Sequence, residues 1–218
     1  QQDKEWMTVN PFNNEIYMSW TEFDKYNSKN PEDKSRILFS KSTDDGLTWT
    51  NPIKLSQFEG NTLDDDKTTE GAVPSVGPNG EIYVAWSFDN KIYFDKSTDG
   101  GITWLDKDIV ASDQPGGWNF DLPGLNRTNG MPVTGTDISE SAYKGNVYIN
   151  FTDQRNGADD TDVFIVKSAD NGNSWSKPIK VNQDKTKTHQ FLTWMSVDAK
   201  TGYLYIVYYD RSKYTTNL

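Results

Sequence analysis

The amino-acid sequence predicts an all-β protein built from repeated four-stranded antiparallel sheets. Three observations carry this. A turn motif recurs three times, an alternating aromatic strand recurs four times, and aromatic rings supply much of the apolar content. The turn motif reads S-x-D-x-G-x-x-W, with copies at Ser42, Asp44, Gly46 and Trp49, at Ser97, Asp99, Gly101 and Trp104, and at Ser168, Asp170, Gly172 and Trp175. Each copy follows an alternating apolar stretch: Ile37-Leu38-Phe39, Ile92-Tyr93-Phe94 and Val163-Phe164-Ile165. In such a turn the aspartate accepts backbone N–H bonds, and the glycine takes a positive φ without steric cost. The tryptophan is expected to open the following strand and pack on the hairpin.

The second repeat reads Ile16-Tyr17-Met18-Ser19-Trp20, Ile82-Tyr83-Val84-Ala85-Trp86, Val147-Tyr148-Ile149-Asn150-Phe151 and Leu204-Tyr205-Ile206-Val207-Tyr208. β-Branched and aromatic residues alternate in it as a strand requires. A short strand and a polar turn precede it, as in Met7-Thr8-Val9 before Asn10-Pro11-Phe12-Asn13-Asn14. The repeating unit is therefore a meander A-B-C-D with the tryptophan motif in the C–D turn. Radial repetition of such sheets makes a β-propeller. Blades are expected at about 1–57, 70–112, 131–182 and 193–218, forming a single domain over 1–218. The last blade stops near Lys213–Leu218, where its third strand should begin. Propellers close with about 4 to 8 blades, so the chain reads as about three and a half blades of a larger ring. An atypical closed ring of four blades is the competing architecture.

Composition narrows the function classes. Aromatics make up 13% of residues within a hydrophobic total of 34%, and large rings can build a core where aliphatics are scarce. The formal charge is −10 with no basic run, which argues against nucleic-acid phosphates and anionic lipid as partners. No apolar run reaches the ~20 residues of a membrane helix, so no membrane insertion is expected. Cysteine is absent, which excludes disulfides and thiol catalysis, and His189 is the only imidazole. No secretory leader is read before Gln1, which is taken as a processed end or the edge of a fragment.

The three motifs resemble Asp-box (BNR) repeats, and nearly the whole chain resembles the sialidase-like β-propellers. Asp3-Lys4-Glu5-Trp6-Met7, Glu70-Gly71-Ala72-Val73-Pro74 and Tyr208-Tyr209-Asp210-Arg211 are similar to stretches of secreted bacterial members of exo-sialidase or BNR-repeat type. The resemblance implies a ring of six blades, a secreted or cell-surface location and an extracellular glycan as ligand. It also implies that the boxes lie at the blade periphery, where they build architecture and take no part in catalysis. The partners it implies are a glycan and the remaining blades, from the same protein or from a surface assembly. A sialidase of this fold uses an arginine cluster, a tyrosine nucleophile with a glutamate, and an aspartate acid/base. This chain has four arginines, Arg36, Arg127, Arg155 and Arg211, and no tyrosine–glutamate pair is assigned. Two functions stay open, a glycoside hydrolase of exo-sialidase type and a non-catalytic recognition, adhesion or scaffold propeller.

In the meander, the B–C and D–A loops share the end opposite the boxes. Variable loops on a rigid scaffold are where binding usually sits. Asp64, Asp65, Asp66 and Glu70 in the first D–A loop are candidates for an acid/base, a Ca²⁺ site or a solvated acidic loop. Trp118 stacks on a sugar or plugs its loop. Arg127 clamps a substrate carboxylate or makes a surface ion pair, and Asn129 shares its loop. Asp153 with Arg155, and Asp210 with Arg211, are read as matching places in two blades and favour interblade ion pairs. His189 reads as a hydrogen-bonding loop residue in preference to a base. No cofactor is required. The metal expectation is a structural Ca²⁺ at Asp159, Asp160 and Asp162, without EF-hand spacing.

Overall fold

The computed structural model describes residues 1–214. All its regular elements are strands. Sheet one orders β1 (Gln2–Val9), β2 (Ile16–Phe23), β3 (Ser35–Ser42) and β4 (Ile53–Lys54). Sheet two orders β5 (Glu70–Val76), β6 (Ile82–Phe88), β7 (Lys91–Ser97) and β8 (Ile109–Asp113). A separate hairpin follows, β9 (Asn119–Leu122) with β10 (Leu125–Asn129). Sheet three orders β11 (Val133–Thr136), β12 (Val147–Asp153), β13 (Asp162–Ser168) and β14 (Ile179–Lys180). The last pair is β15 (Gln190–Val197) with β16 (Leu204–Asp210). All pairings between these strands are antiparallel. The expected break in the last sheet falls partly on 215–218, outside the described residues.

The alternation decides which face goes where. Tyr17, Ile37 and Phe39 of sheet one pack against Ile82, Val84 and Trp86 of sheet two. The other face of sheet two, with Tyr83, Ala85 and Phe94, packs on Val147, Ile149 and Phe151 of sheet three. Tyr148 then meets Met195, Leu204 and Ile206 of the last pair. Sheets two and three are thus covered on both sides, and every residue of β12 is buried. The first strands lie innermost: β1 contacts β5, β5 contacts β11, and β11 contacts β15.

The tryptophan hairpins are closed by local bonds. In the first, Ser42 Oγ donates to Asp44 Oδ1 at 2.8 Å and accepts from Gly46 N at 2.9 Å. Asp44 also accepts from Thr48 N at 2.8 Å and from the Thr48 hydroxyl at 2.5 Å. The other two repeat this network around Asp99 and Asp170. The tryptophans do not open the next strand, which begins several residues later at Ile53, Ile109 or Ile179. The ring is used instead to join sheets. Trp104 meets Phe39 of the preceding sheet edge-on at 4.9 Å, and Trp175 meets Phe94 at 5.0 Å. Trp49, in the first sheet, donates to the Gly46 carbonyl and stays 36% exposed.

The loop expected across 113–130 is partly a hairpin. Phe120 and Leu122 alternate with exposed residues and are buried with Phe191, while Gly124 turns the chain at φ 77°.

Candidate functional site

Three of the four innermost strands share one irregularity. The register of β1 slips between Asp3 and Trp6, that of β5 between Glu70 and Val73, and that of β15 between Phe191 and Trp194. Inside each bulge one residue is left-handed: Lys4 at φ 56°, Gly71 at φ 82° and Leu192 at φ 50°. A lysine and a leucine in this region are strained, and such strain collects at functional sites. Bulges re-aim side chains, which is why they cluster beside binding sites. After each bulge, Trp6, Val73 and Trp194 pair with Ser19, Ala85 and Val207, the fourth residue of the second strand. Val133, paired with Asn150, occupies the same place in sheet three.

These equivalent positions line one cavity of about 380 Å³ where the first strands converge. Its walls include Trp6, Val73, Val133 and Trp194, with Lys4 and Asn129 as polar groups. The rings of Trp6 and Trp194 lie 6.0 Å apart at 37°, forming an aromatic wall contributed by the first and last sheets. Val73 and Met131 belong to the same wall, and Gly71 is required there because a Cβ would sit 2.8 Å from Met131.

Lys4 is held hard. Its ammonium lies 2.8 Å from Asp3 and 3.0 Å from Glu70, and it sits over the Trp118 ring at 6.0 Å. Burial alone would lower the Lys4 pKa. The charge of Glu70 and the hydrogen bonds to both carboxylates outweigh it and hold the ammonium above its ordinary value. Glu70 is fully buried, and burial pushes its carboxyl up to about 7 against the pull of Lys4. Glu70 Oε1 has no protein partner.

The predicted site residues divide around this cavity. Asn129 lines it, and its Oδ1 accepts from Met131 N. The acidic loop ties one D–A loop to the next. Asp64 pairs with Arg127 and accepts from the Tyr26 hydroxyl at 2.7 Å. Asp65 accepts from Lys67 N, and Asp66 accepts from Asn119 N at 2.8 Å. Burial raises the Asp66 carboxyl above its usual range. Trp118 is 1% exposed and donates to the Thr68 carbonyl, so it plugs its loop and offers no face to a sugar. Arg127 is engaged by Asp64 beside the rim, not poised as a free clamp.

Asp153 is buried and bonded to Arg155, whose guanidinium also donates to the Asp113 carbonyl of sheet two and covers the Phe164 ring at 4.4 Å. The second pair is a register correction. Asp210 matches Asp153, both closing the second strand, but Arg211 stands one place short of the Arg155 position. Asp210 accepts from Gln190 and Ser212, whereas Arg211 donates to the Pro123 carbonyl and covers Phe191. His189 is 1% exposed, contacts the Thr161 hydroxyl at 3.0 Å, and is shifted down by burial and by Arg211.

Asp162 is fully buried against Lys180, Asn156 and Asn182, with Asp160 buried nearby and Asp159 exposed. Among the described residues no group of three or more acidic or imidazole side chains is gathered to hold a metal ion. Sequence reasoning missed the cavity itself. Its signal was the recurrence of Trp6-Met7-Thr8-Val9 as Trp194-Met195-Ser196-Val197, with Val73-Pro74-Ser75-Val76 between.

No family model matches the sequence, and no curated relative matches it. Solved structures do resemble it. A polysaccharide lyase of the ulvan lyase family PL25, bound to -[GlcA(1-4)Rha3S]-, has a TM-score of 0.55 and 16% identity over 87% of this chain and 46% of that one. The NanB sialidase from Streptococcus pneumoniae has a TM-score of 0.59 and 10% identity over 95% and 44%. The Penicillium chrysogenum alpha-L-arabinanase complexed with arabinobiose has a TM-score of 0.57 and 19% identity over 89% and 53%. The chain therefore spans about half the length of the structures it matches. At these identities the likeness is one of fold, and the fold is one that glycan-acting enzymes use.

Proposed function

We propose that the chain is part of an Asp-box β-propeller that binds extracellular glycans in the cavity between its innermost strands. The observation that carries the reading is the bulge repeated in sheets one and two and in the last pair, which with Val133 of sheet three brings equivalent residues into one cavity with an aromatic wall. Small-molecule sites are concave, largely apolar and furnished with a few polar groups. Glycan-acting structural neighbours support the ligand class. Polysaccharides are met at or beyond the cell surface, and the proposal sets the protein there.

Further sheets complete the ring in this reading. Tyr205 and Val207 are 58% and 65% exposed, while Tyr83 and Ala85, at the same places in sheet two, are fully buried under sheet three. Another sheet of the same kind would cover them.

One observation favours recognition over hydrolysis by a carboxylate pair, and hydrolysis with a tyrosine nucleophile stays the second reading. Two-carboxylate hydrolysis needs both carboxyls at the sugar. Lys4 is the only ionisable residue lining the cavity among the described residues, and Glu70 is fully buried behind it. Incubation with a fluorogenic sialoside and then with mixed plant and algal glycans tests both readings. Binding without turnover is the expected result. Turnover would make the protein a glycosidase, and no interaction with any glycan would overturn the proposal.

A further inference from the structure

The cavity also has a charge preference, and this deepens the glycan-binding reading on which it rests. Recognition of an acidic sugar needs a cation that is free to meet the carboxylate or sulfate, best as a two-pronged arginine. Among the described residues the one cation in this wall is Lys4, and its ammonium is already bonded to Asp3 and Glu70 at 2.8 and 3.0 Å. One positive charge thus faces two carboxyl groups. An incoming anion would have to break a desolvated ion pair and then sit beside the carboxylates it displaced. Arg127, in the same strand as Asn129, is bonded to Asp64. The remaining wall suits an uncharged ligand. Trp6 and Trp194 offer ring faces, Val73 and Val133 add aliphatic surface, and Asn129 supplies a neutral polar group.

We infer that the cavity wall formed by Lys4, Trp6, Asn129 and Trp194 selects neutral saccharides and rejects acidic ones. The ion pair of Lys4 with Asp3 and Glu70 is the device that does so. Lys4 is thereby a specificity determinant without being a ligand for the sugar's charge.

Calorimetric titration of the chain tests this with two probe pairs: arabinotriose and galactotriose as neutral ligands, sialyllactose and trigalacturonic acid as acidic ones. A neutral trisaccharide is expected to bind at least about tenfold more tightly than an acidic one. Trp194→Ala should abolish that binding, and the residue is 41% exposed, so the fold should survive. Glu70→Gln keeps the shape and releases Lys4, so acidic ligands should gain several-fold. Asp3→Asn serves if Glu70→Gln does not fold. Tighter binding of the acidic probes by the unaltered chain would overturn the charge preference and leave the cavity as the glycan site. Binding of neutral probes that survives Trp194→Ala would overturn the assignment of this wall. No binding of any of the four probes would overturn both.

Discussion

The two ends of these sheets solve different problems. At one end, three hairpins are closed by bonds among residues within eight positions of one another, and each aspartate is satisfied by its own turn. At the other end the ties that shape the cavity run between sheets. Lys4 meets Glu70, Asp64 meets Arg127, Asp66 meets Asn119 and Trp6 meets Trp194. The first end repeats because every turn needs the same hydrogen bonds. The second varies because its residues need only converge, and what they converge on is a cavity. Stability is therefore expected to concentrate at the hairpin end, and ligand response at the cavity end.

The largest break in this contrast would come from Phe94, which is fully buried and receives Trp175 from the next hairpin. Phe94→Ala should cost about 3–5 kcal/mol in urea unfolding. A cost as small as a surface substitution would mean that the tryptophan does not bind the sheets together. Gly101 comes next. It has φ 83°, and a Cβ there would lie 2.6 Å from the Phe39 ring. Gly101→Ala should cost about 2–4 kcal/mol, combining left-handed strain with overpacking.

The turn aspartates and Glu70 should respond to pH in opposite senses. Hydrogen bonds from the Thr48 and Ser174 hydroxyls hold Asp44 and Asp170 below the usual carboxylate range, Asp170 at about 2. Their stabilisation is present above the unfolded value near 3.8 and is lost as pH falls below it. Glu70 behaves in the other sense. Its carboxyl titrates at about 7 when folded and 4.5 when unfolded, so the folded state holds the extra proton and stability declines as pH rises from 4.5 to 7. Thermal midpoints of Glu70→Gln should lose part of that decline while keeping the acid limb, the rest belonging to Asp95 and Asp108, whose carboxyls burial lifts to about 7 and about 6. A decline that persists unchanged would remove Glu70 as its source. The smallest stability effect is expected from Trp194→Ala, about 1 kcal/mol or less for a 41% exposed ring, alongside the loss of saccharide binding.

Legibility follows the same division. The hairpins could be read from the sequence because Ser, Asp, Gly and Trp carry out a short-range task at fixed spacing. The strand repeats were legible because both faces of the middle strands are buried, which writes near-continuous β-branched and aromatic runs into Ile82–Trp86 and Val147–Phe151. The cavity was not read, because a bulge is a register slip between two strands and has no fixed composition: lysine, glycine and leucine fill the same backbone place. Arg127 and Trp118 looked like ligand residues because arginine and tryptophan serve that role elsewhere. Here Asp64 and the Thr68 carbonyl, 63 and 50 residues away, absorb them. The matching of Arg211 to Arg155 failed for a similar reason, since a one-residue offset after a strand sends the side chain to a different neighbour.

The eight tryptophans make the contrast directly measurable. Indole N–H resonances of the ¹⁵N-labelled chain can be followed while a neutral trisaccharide is added. Saturable shifts are expected at Trp6 and Trp194, with Trp49, Trp104 and Trp175 in the hairpins unmoved. Shifts confined to the hairpin tryptophans, or to Trp118 in its loop, would contradict a ligand site between the innermost strands.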